Sequence, residues 1–229
     1  MKRQHSGFTL IELLISISLL SMIMLLASWS FSMFIDRWEG RLGNFSRAVS
    51  ESKDFILLNN VISTVTPYVV EKENSLGYYF VLKQNTLKAV SQNGIFHTSG
   101  PVFFKLSVEK NLTGEQYLLY QEGALSGTIA LDSDLPYSHE KILIDNSSAI
   151  NFQVYSWQSF TEKVASENPL ANSNKAPQWL SEYNAWQSRI MPLTLRVFWD
   201  DSSLDISFIN DQGRWLTLIS QLKSSTTNG

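Results

Sequence analysis

Gly7-Phe8-Thr9-Leu10-Ile11-Glu12 is the stretch on which the reading of this chain turns. A short basic leader, Met1-Lys2-Arg3-Gln4-His5-Ser6-Gly7, runs into it, and no charged residue follows from Leu13 to Ile35. Glu12 is therefore a single carboxylate near the start of an apolar helix of membrane length. A charge in that setting costs roughly 2.5–3.5 kcal/mol on insertion scales, so it points to a function and a partner. Lys2 and Arg3 hold the leader on the cytoplasmic side, and the rest of the chain then lies across the membrane. A secretory signal peptide would end its apolar run at a small-residue cleavage site. Here the run ends in Ser32-Met33-Phe34-Ile35-Asp36-Arg37-Trp38, a poor site, and the glycine stands before the run. A cut at that glycine leaves the apolar helix on the mature protein.

The basic leader, Gly7, Phe8-Thr9-Leu10-Ile11-Glu12 and the apolar run resemble the class III signal sequence of type IV prepilins and type II secretion pseudopilins, with no departure from Met1 to Ile35. The resemblance implies that residues 1–7 are a leader and that an inner-membrane prepilin peptidase cuts between Gly7 and Phe8. It implies that Phe8 becomes the N-methylated terminus, and that Glu12 neutralises the terminal amine of a neighbouring subunit during assembly. The physics agrees, since opposite charges in hydrocarbon cost far less together than apart. The other reading of Glu12 is a carboxylate snorkelling to the headgroups from an ordinary membrane anchor.

The 229 residues accommodate one membrane helix and one domain. The formal charge is -3; losing Lys2 and Arg3 takes the 18 basic side chains to 16 against 21 acidic ones, hence -5. A mildly acidic mature chain lacks the basic footprint that nucleic acid demands, so no nucleic-acid partner is expected. The sequence has no cysteine, which excludes disulfides, thiol nucleophiles and cysteine metal sites. Many type IV pilins carry a C-terminal disulfide loop, so this leans the resemblance toward pseudopilins.

Helical spacing continues past the apolar run, with Trp38, Leu42, Phe45, Val49 and Ile56 on one stripe that Val61 and Val65 extend, and Pro67 ends it. Gly40 and Gly43 weaken this helix by up to about 1 kcal/mol each, so a bend or local melting is expected there. The expected partition is a transmembrane helix over 8–35, its amphipathic continuation over 36–66, a β-rich periplasmic head over 67–223 and a disordered tail over 224–229. In the head, strands are expected at Tyr68–Val70, Tyr78–Leu82, Val102–Val108, Tyr117–Tyr120, Ile142–Ile144, Ile150–Tyr155, Leu193–Trp199, Leu204–Ile209 and Trp215–Ile219, from their aromatic and β-branched content. Asn74-Ser75, Asn93-Gly94, Ser99-Gly100-Pro101, Thr113-Gly114 and Asp211-Gln212-Gly213 punctuate them as turns. Ser159 to Pro177 reads as a long exposed loop. Trp179, Tyr183 and Trp186 follow at helical spacing, which would put all three on one face of a short helix. They are the candidate partner interface, since such residues are enriched at interface hot spots; the alternative is that they fold back onto the sheet as core.

The fold class expected is α+β, with a long N-terminal helix packed on an antiparallel sheet, as the pilin resemblance implies. The segments Ile142–Ile144, Ile150–Trp157 and Met191–Val197 also look, loosely, like J-type minor pseudopilins. That likeness implies a structural subunit of a type II secretion pseudopilus, in the tip complex that primes assembly for protein secretion. Its partners would be other pseudopilin subunits through the N-terminal helix, the prepilin peptidase, the inner-membrane assembly platform and membrane lipid. The alternatives are a minor type IV pilin of an adhesion pilus, and a filament-tip module that captures DNA or a carbohydrate through an exposed basic or aromatic groove.

No enzyme is expected. Outside the leader only His97 and His139 could serve as imidazole bases, and both sit in polar, turn-like surroundings. Gly123-Ala124-Leu125-Ser126-Gly127 lacks nucleophile-elbow spacing. No cofactor is expected. Hard oxygen ligands at Asp201, Ser203 and Asp205, or at Asp132 and Asp134, are weak calcium candidates without the glycine and distal glutamate of an EF-hand loop. A polar hairpin turn explains the first set better.

Overall fold

The computed structural model describes residues 9–72, 75–129, 135–167, 176–208, 216–219 and 221. The chain divides into two compact units, Met1–Ser50 and Glu51–Gly229. A single helix, α1 (Leu10–Ser63), supplies the described part of the first unit and enters the second. Thr9 starts it: the Glu12 and Leu13 amides bond the Thr9 carbonyl at 3.1 and 3.2 Å. The helix runs on past Gly40 and Gly43 without melting, because elongation within a formed helix tolerates a glycine that nucleation would not.

α1 stops at Ser63, short of the expected Thr66. The Thr64 hydroxyl donates to the Asn60 carbonyl at 2.8 Å, and the Val65 amide closes a tighter turn on Ile62 at 3.1 Å. Val65 then bridges Ser91 of the sheet. Leu58, Val61 and Ile62 are fully buried in the head, and the second compact unit takes in the helix from Glu51.

The head is antiparallel throughout, giving an α+β architecture in keeping with a pilin-like fold. Strands β1 (Val69–Lys72) and β2 (Ser75–Tyr78) form a two-stranded ribbon. A six-stranded sheet contains β3 (Phe80–Lys83), β4 (Thr86–Ser91), β5 (Val102–Lys110), β6 (Gln116–Ala124), β7 (His139–Ser147) and β10 (Tyr183–Asn184), in the order β10-β3-β4-β5-β6-β7. A four-stranded sheet orders β12 (Ser202–Ser207), β11 (Thr194–Trp199), β8 (Ile150–Ser156) and β9 (Gln178–Leu180). The core joins the helix end to the inward residues of both sheets, among them Phe80, Phe104, Tyr120, Phe152, Leu195 and Val197. A smaller cluster around Val70, Tyr79, Val90, Phe103 and Ile129 forms beside it.

Four expectations need correction. Phe160–Glu167 is a helix, α2, not loop; the Ser159 hydroxyl accepts from the Glu162 amide at 3.3 Å and the Glu162 carboxylate from the Gln158 amide at 3.2 Å, a reciprocal cap. Thr86–Ser91 is a strand that its sequence did not announce. Residues 216–219 are helical rather than extended, with Leu216 packed against the core. Trp179, Tyr183 and Trp186 lie on three elements: β9, β10 and the short helix α3 (Ala185–Ser188). The leader with Gly7 and Phe8, the 168–175 part of the expected loop, Asp132, Asp134, the 211–213 turn and the 224–229 tail lie outside the described residues.

Candidate functional site

The N-terminal segment is built as an exposed apolar helix whose first serines bond its own backbone. Thr9 caps it, its hydroxyl accepting from the Glu12 amide at 3.4 Å. This puts Glu12 in the first turn, where the amide dipoles favour a carboxylate. The hydroxyls of Ser16, Ser18 and Ser21 donate to the carbonyls of Glu12, Ile15 and Ile17 at 2.8–2.9 Å. No serine in this group thus carries an unpaired proton into an apolar phase, where the cost would be several kcal/mol. The apolar span, Leu10–Trp38, is 29 residues long; at about 1.5 Å per residue it exceeds the roughly 30 Å of hydrocarbon in a bilayer. Leu10, Leu14, Met24, Leu25 and Trp29 are among its large exposed side chains.

Residues 2–28 match the prokaryotic N-terminal methylation motif. This motif is prepilin-type and supports the type IV pilin and pseudopilin class, with processing by a prepilin peptidase and assembly with other pilin subunits. The segment is compatible with a membrane-anchored, single-pass protein. Neither curated proteins nor solved structures provide a match to the chain.

In the head, the three aromatic candidates have separate fates. Tyr183 is core. Its hydroxyl donates to the Ile190 carbonyl at 2.9 Å and accepts from Ser156 and Ser188 at 3.0 and 2.8 Å, and burial pushes its phenol pKa up. Trp186 is half-buried over Gly77, whose missing side chain makes room: a Cβ there would sit 2.5 Å from the indole Cδ1. Trp179 remains 37% exposed. The Arg196 guanidinium lies 4.1 Å from its ring centroid and the Tyr155 ring 5.1 Å away.

The acidic candidates are largely spoken for. Asp200-Asp201 is the two-residue turn between β11 and β12, with Asp200 at a left-handed φ of 47°. Asp200 accepts from the Ser148 hydroxyl and amide and from Ser147 at 2.6, 2.8 and 3.1 Å, bonds that hold its carboxyl below the usual range. Asp205 receives both Nε and Nη2 of Arg196, and this fork lowers its pKa. Asp201 and Ser203 are exposed on the turn and the edge strand. No group of three or more histidine or acidic side chains suited to a metal gathers among the described residues.

One site escaped sequence reasoning. Glu122 on β6 is fully buried, yet its carboxylate accepts five hydrogen bonds. The amides of Ile95, Phe96 and His97 donate at 2.6, 3.0 and 2.7 Å, the His97 ring Nδ1 lies at 2.8 Å, and the Tyr120 hydroxyl donates at 2.6 Å. Burial pushes this carboxyl up; the bonds from Tyr120, His97 and Ile95 more than offset it, and the pKa falls below the ordinary value. Tyr120 is shifted upward, first by burial and then by its bond to Glu122. Gly94 is required beside it, since a Cβ there would lie 2.5 Å from the carboxylate. The clamp fixes the loop between β4 and β5, on which Phe96 stacks against His139 at 5.0 Å. The signal was available: Leu118, Tyr120 and Glu122 are in phase on one strand, so period 2 turns Glu122 inward.

Proposed function

We propose that this chain is a minor pseudopilin: a structural subunit that is cut after Gly7, methylated on Phe8 and drawn from the inner membrane into the tip of a type II secretion pseudopilus in the periplasm. The observation that carries the reading is the methylation motif over residues 2–28 running into the 29-residue apolar span. Within it, Glu12 is the sole charged residue between Thr9 and Ile35. In this reading the Glu12 carboxylate, displayed on the first helical turn, meets the amine of Phe8 from a neighbouring subunit. The pairing removes two charges from hydrocarbon at once. The chain's work is assembly, not catalysis.

Processing is tested directly: in a strain with an active prepilin peptidase, Gly7→Val should leave the leader attached, seen by mass spectrometry of the N-terminus. Normal cleavage would overturn the reading. Glu12→Ala should reach the membrane and be processed but fail to enter filaments; filament incorporation at the wild-type level would sink the pairing. The secretion assignment rests on a deletion strain, which should lose protein secretion and keep its surface pili. Loss of pili with intact secretion would place the subunit in an adhesion pilus.

A further inference from the structure

The outward face of the four-stranded sheet is organised beyond what a solvent face needs. Side chains alternate along its strands, so Phe152, Val154, Leu195 and Val197 face the core, while Tyr155, Gln153, Arg196 and Phe198 face outward. Register sets Trp179 opposite Tyr155, and Gln153 and Asp205 on either side of Arg196. Arg196 is fixed from both sides: Asp205 holds its fork, and its guanidinium lies 4.1 Å from the Trp179 ring and 5.6 Å from the Phe198 ring. The result is a preorganised cluster of half-exposed rings interleaved with hydrogen-bonding groups.

We propose that this face is a binding platform for a neutral glycan. Charge decides the class of ligand. The outward positions of these four strands carry one cation and one anion, Arg196 and Asp205, which cancel. A nucleic acid would require a net basic footprint, and a basic peptide a net acidic one. A neutral, hydroxyl-rich chain matches a face with no net charge. The pyranose ring offers an apolar C–H face, which suits the electron-rich faces of Trp179 and Tyr155, and a rim of hydroxyls. Arg196 spends two of its five donors on Asp205, and Asp205 keeps free lone pairs after accepting them. The Gln153 carboxamide and the Tyr155 hydroxyl have no hydrogen-bond partner among the described residues. Donors and acceptors are therefore open on the same surface as the rings.

The platform does not depend on the assembly reading, because the unprocessed chain carries the same face. The test uses the full chain in micelles of a detergent without a sugar headgroup. Cellohexaose, maltohexaose and chitohexaose are titrated separately while tryptophan fluorescence is followed, with a single-stranded DNA oligonucleotide as a further titrant. At least one hexaose should give a saturable change, and Trp179→Ala should weaken it about tenfold or more, as for a central aromatic contact. Trp179→Phe keeps a ring and should fall between the two, which preserves the test if the alanine variant does not fold. Gly7→Val should bind like wild type whatever happens to its leader. The proposal is overturned if no hexaose binds, if DNA binds and the hexaoses do not, or if both Trp179 variants bind like wild type. It is also overturned if Trp179→Ala instead lowers self-association in sedimentation with no sugar bound, which would make the face an interface between copies.

Discussion

Glu12 and Glu122 are two carboxylates set among apolar residues, and the chain treats them in opposite ways. Glu122 is enclosed, and the protein spends three backbone amides, a phenol and an imidazole on it. Glu12 stands exposed on the first turn of α1, with its own amide tied to Thr9 and its side chain displayed. A buried charge is tolerable only when its surroundings are arranged around it. Glu122 thus belongs to the stability of the head, while in the proposed function Glu12 belongs to a partner. The two regions should fail differently when each carboxylate is removed.

That contrast gives the largest expected effect. Glu122→Ala should cost the head about 3–5 kcal/mol, since it strands a set of buried donors at once. Urea unfolding of the full chain, followed by near-ultraviolet circular dichroism, measures this. Glu12→Ala should leave the same transition within about 0.5 kcal/mol of wild type, as for a surface change. Equal losses in the two variants would erase the distinction between a structural and an assembly carboxylate.

The same contrast explains what the sequence disclosed. The N-terminal segment was legible because its information is local: a leader, a glycine, a short motif and an apolar run in one continuous stretch. Strand phase turned Glu122 inward, but its clamp was not legible, because its backbone donors come from residues 95–97, brought to it only by the fold. Strands with dense aromatic and β-branched content, such as Val102–Lys110, were legible for the reason that they are buried. Strand Thr86–Ser91 was not, because Thr-Leu-Lys-Ala-Val-Ser is weakly patterned and the turn before it is Gln84-Asn85, which takes φ of 49° and 54° without a glycine. The α2 cap, Ser159 with Glu162, was a readable helix start hidden in a polar stretch. Trp179, Tyr183 and Trp186 fit helical spacing, but the chain gives Trp179 to one sheet and Tyr183 to the other. The helical 216–219 segment follows tertiary context over its β-rich composition.

A second break in the comparison probes packing rather than charge. Gly77→Ala would place a methyl 2.6 Å from the Trp186 Cα and 2.7 Å from its carbonyl oxygen. Backbone cannot swing aside as a flexible side chain can, so a loss of about 1–3 kcal/mol is expected, read by the same urea transition. A neutral result would mean that α3 moves freely over β2.

Acid sharpens the contrast with a smaller effect. The Glu122 pKa is lowered in the folded head, so its stabilising contribution is complete above the unfolded carboxyl pKa of about 4.3 and is lost as pH falls through the lower folded value. Asp200 and Asp205 shift in the same direction and add to the same acid limb. Unfolding midpoints taken from neutral pH downward should therefore decline on the acid side. Glu122→Gln should lie below wild type at neutral pH and converge on it as acid protonates the wild-type carboxyl. Parallel curves would show that the clamp does not sense the charge.

The smallest effect belongs to the outer face of the four-stranded sheet. Asp205→Asn removes half of a pair that is substantially exposed, so Coulomb attraction there is screened by water and salt. The unfolding midpoint should hardly move, and whatever shift appears should shrink further at high salt. What the substitution should change is order: without its fork partner, Arg196 is no longer held between Trp179 and Phe198, and its side-chain resonances should average in NMR spectra. A rigid Arg196 in that variant would mean that ring stacking alone positions the guanidinium. A large loss of stability would mean that this face, like the Glu122 clamp, is part of what holds the head together.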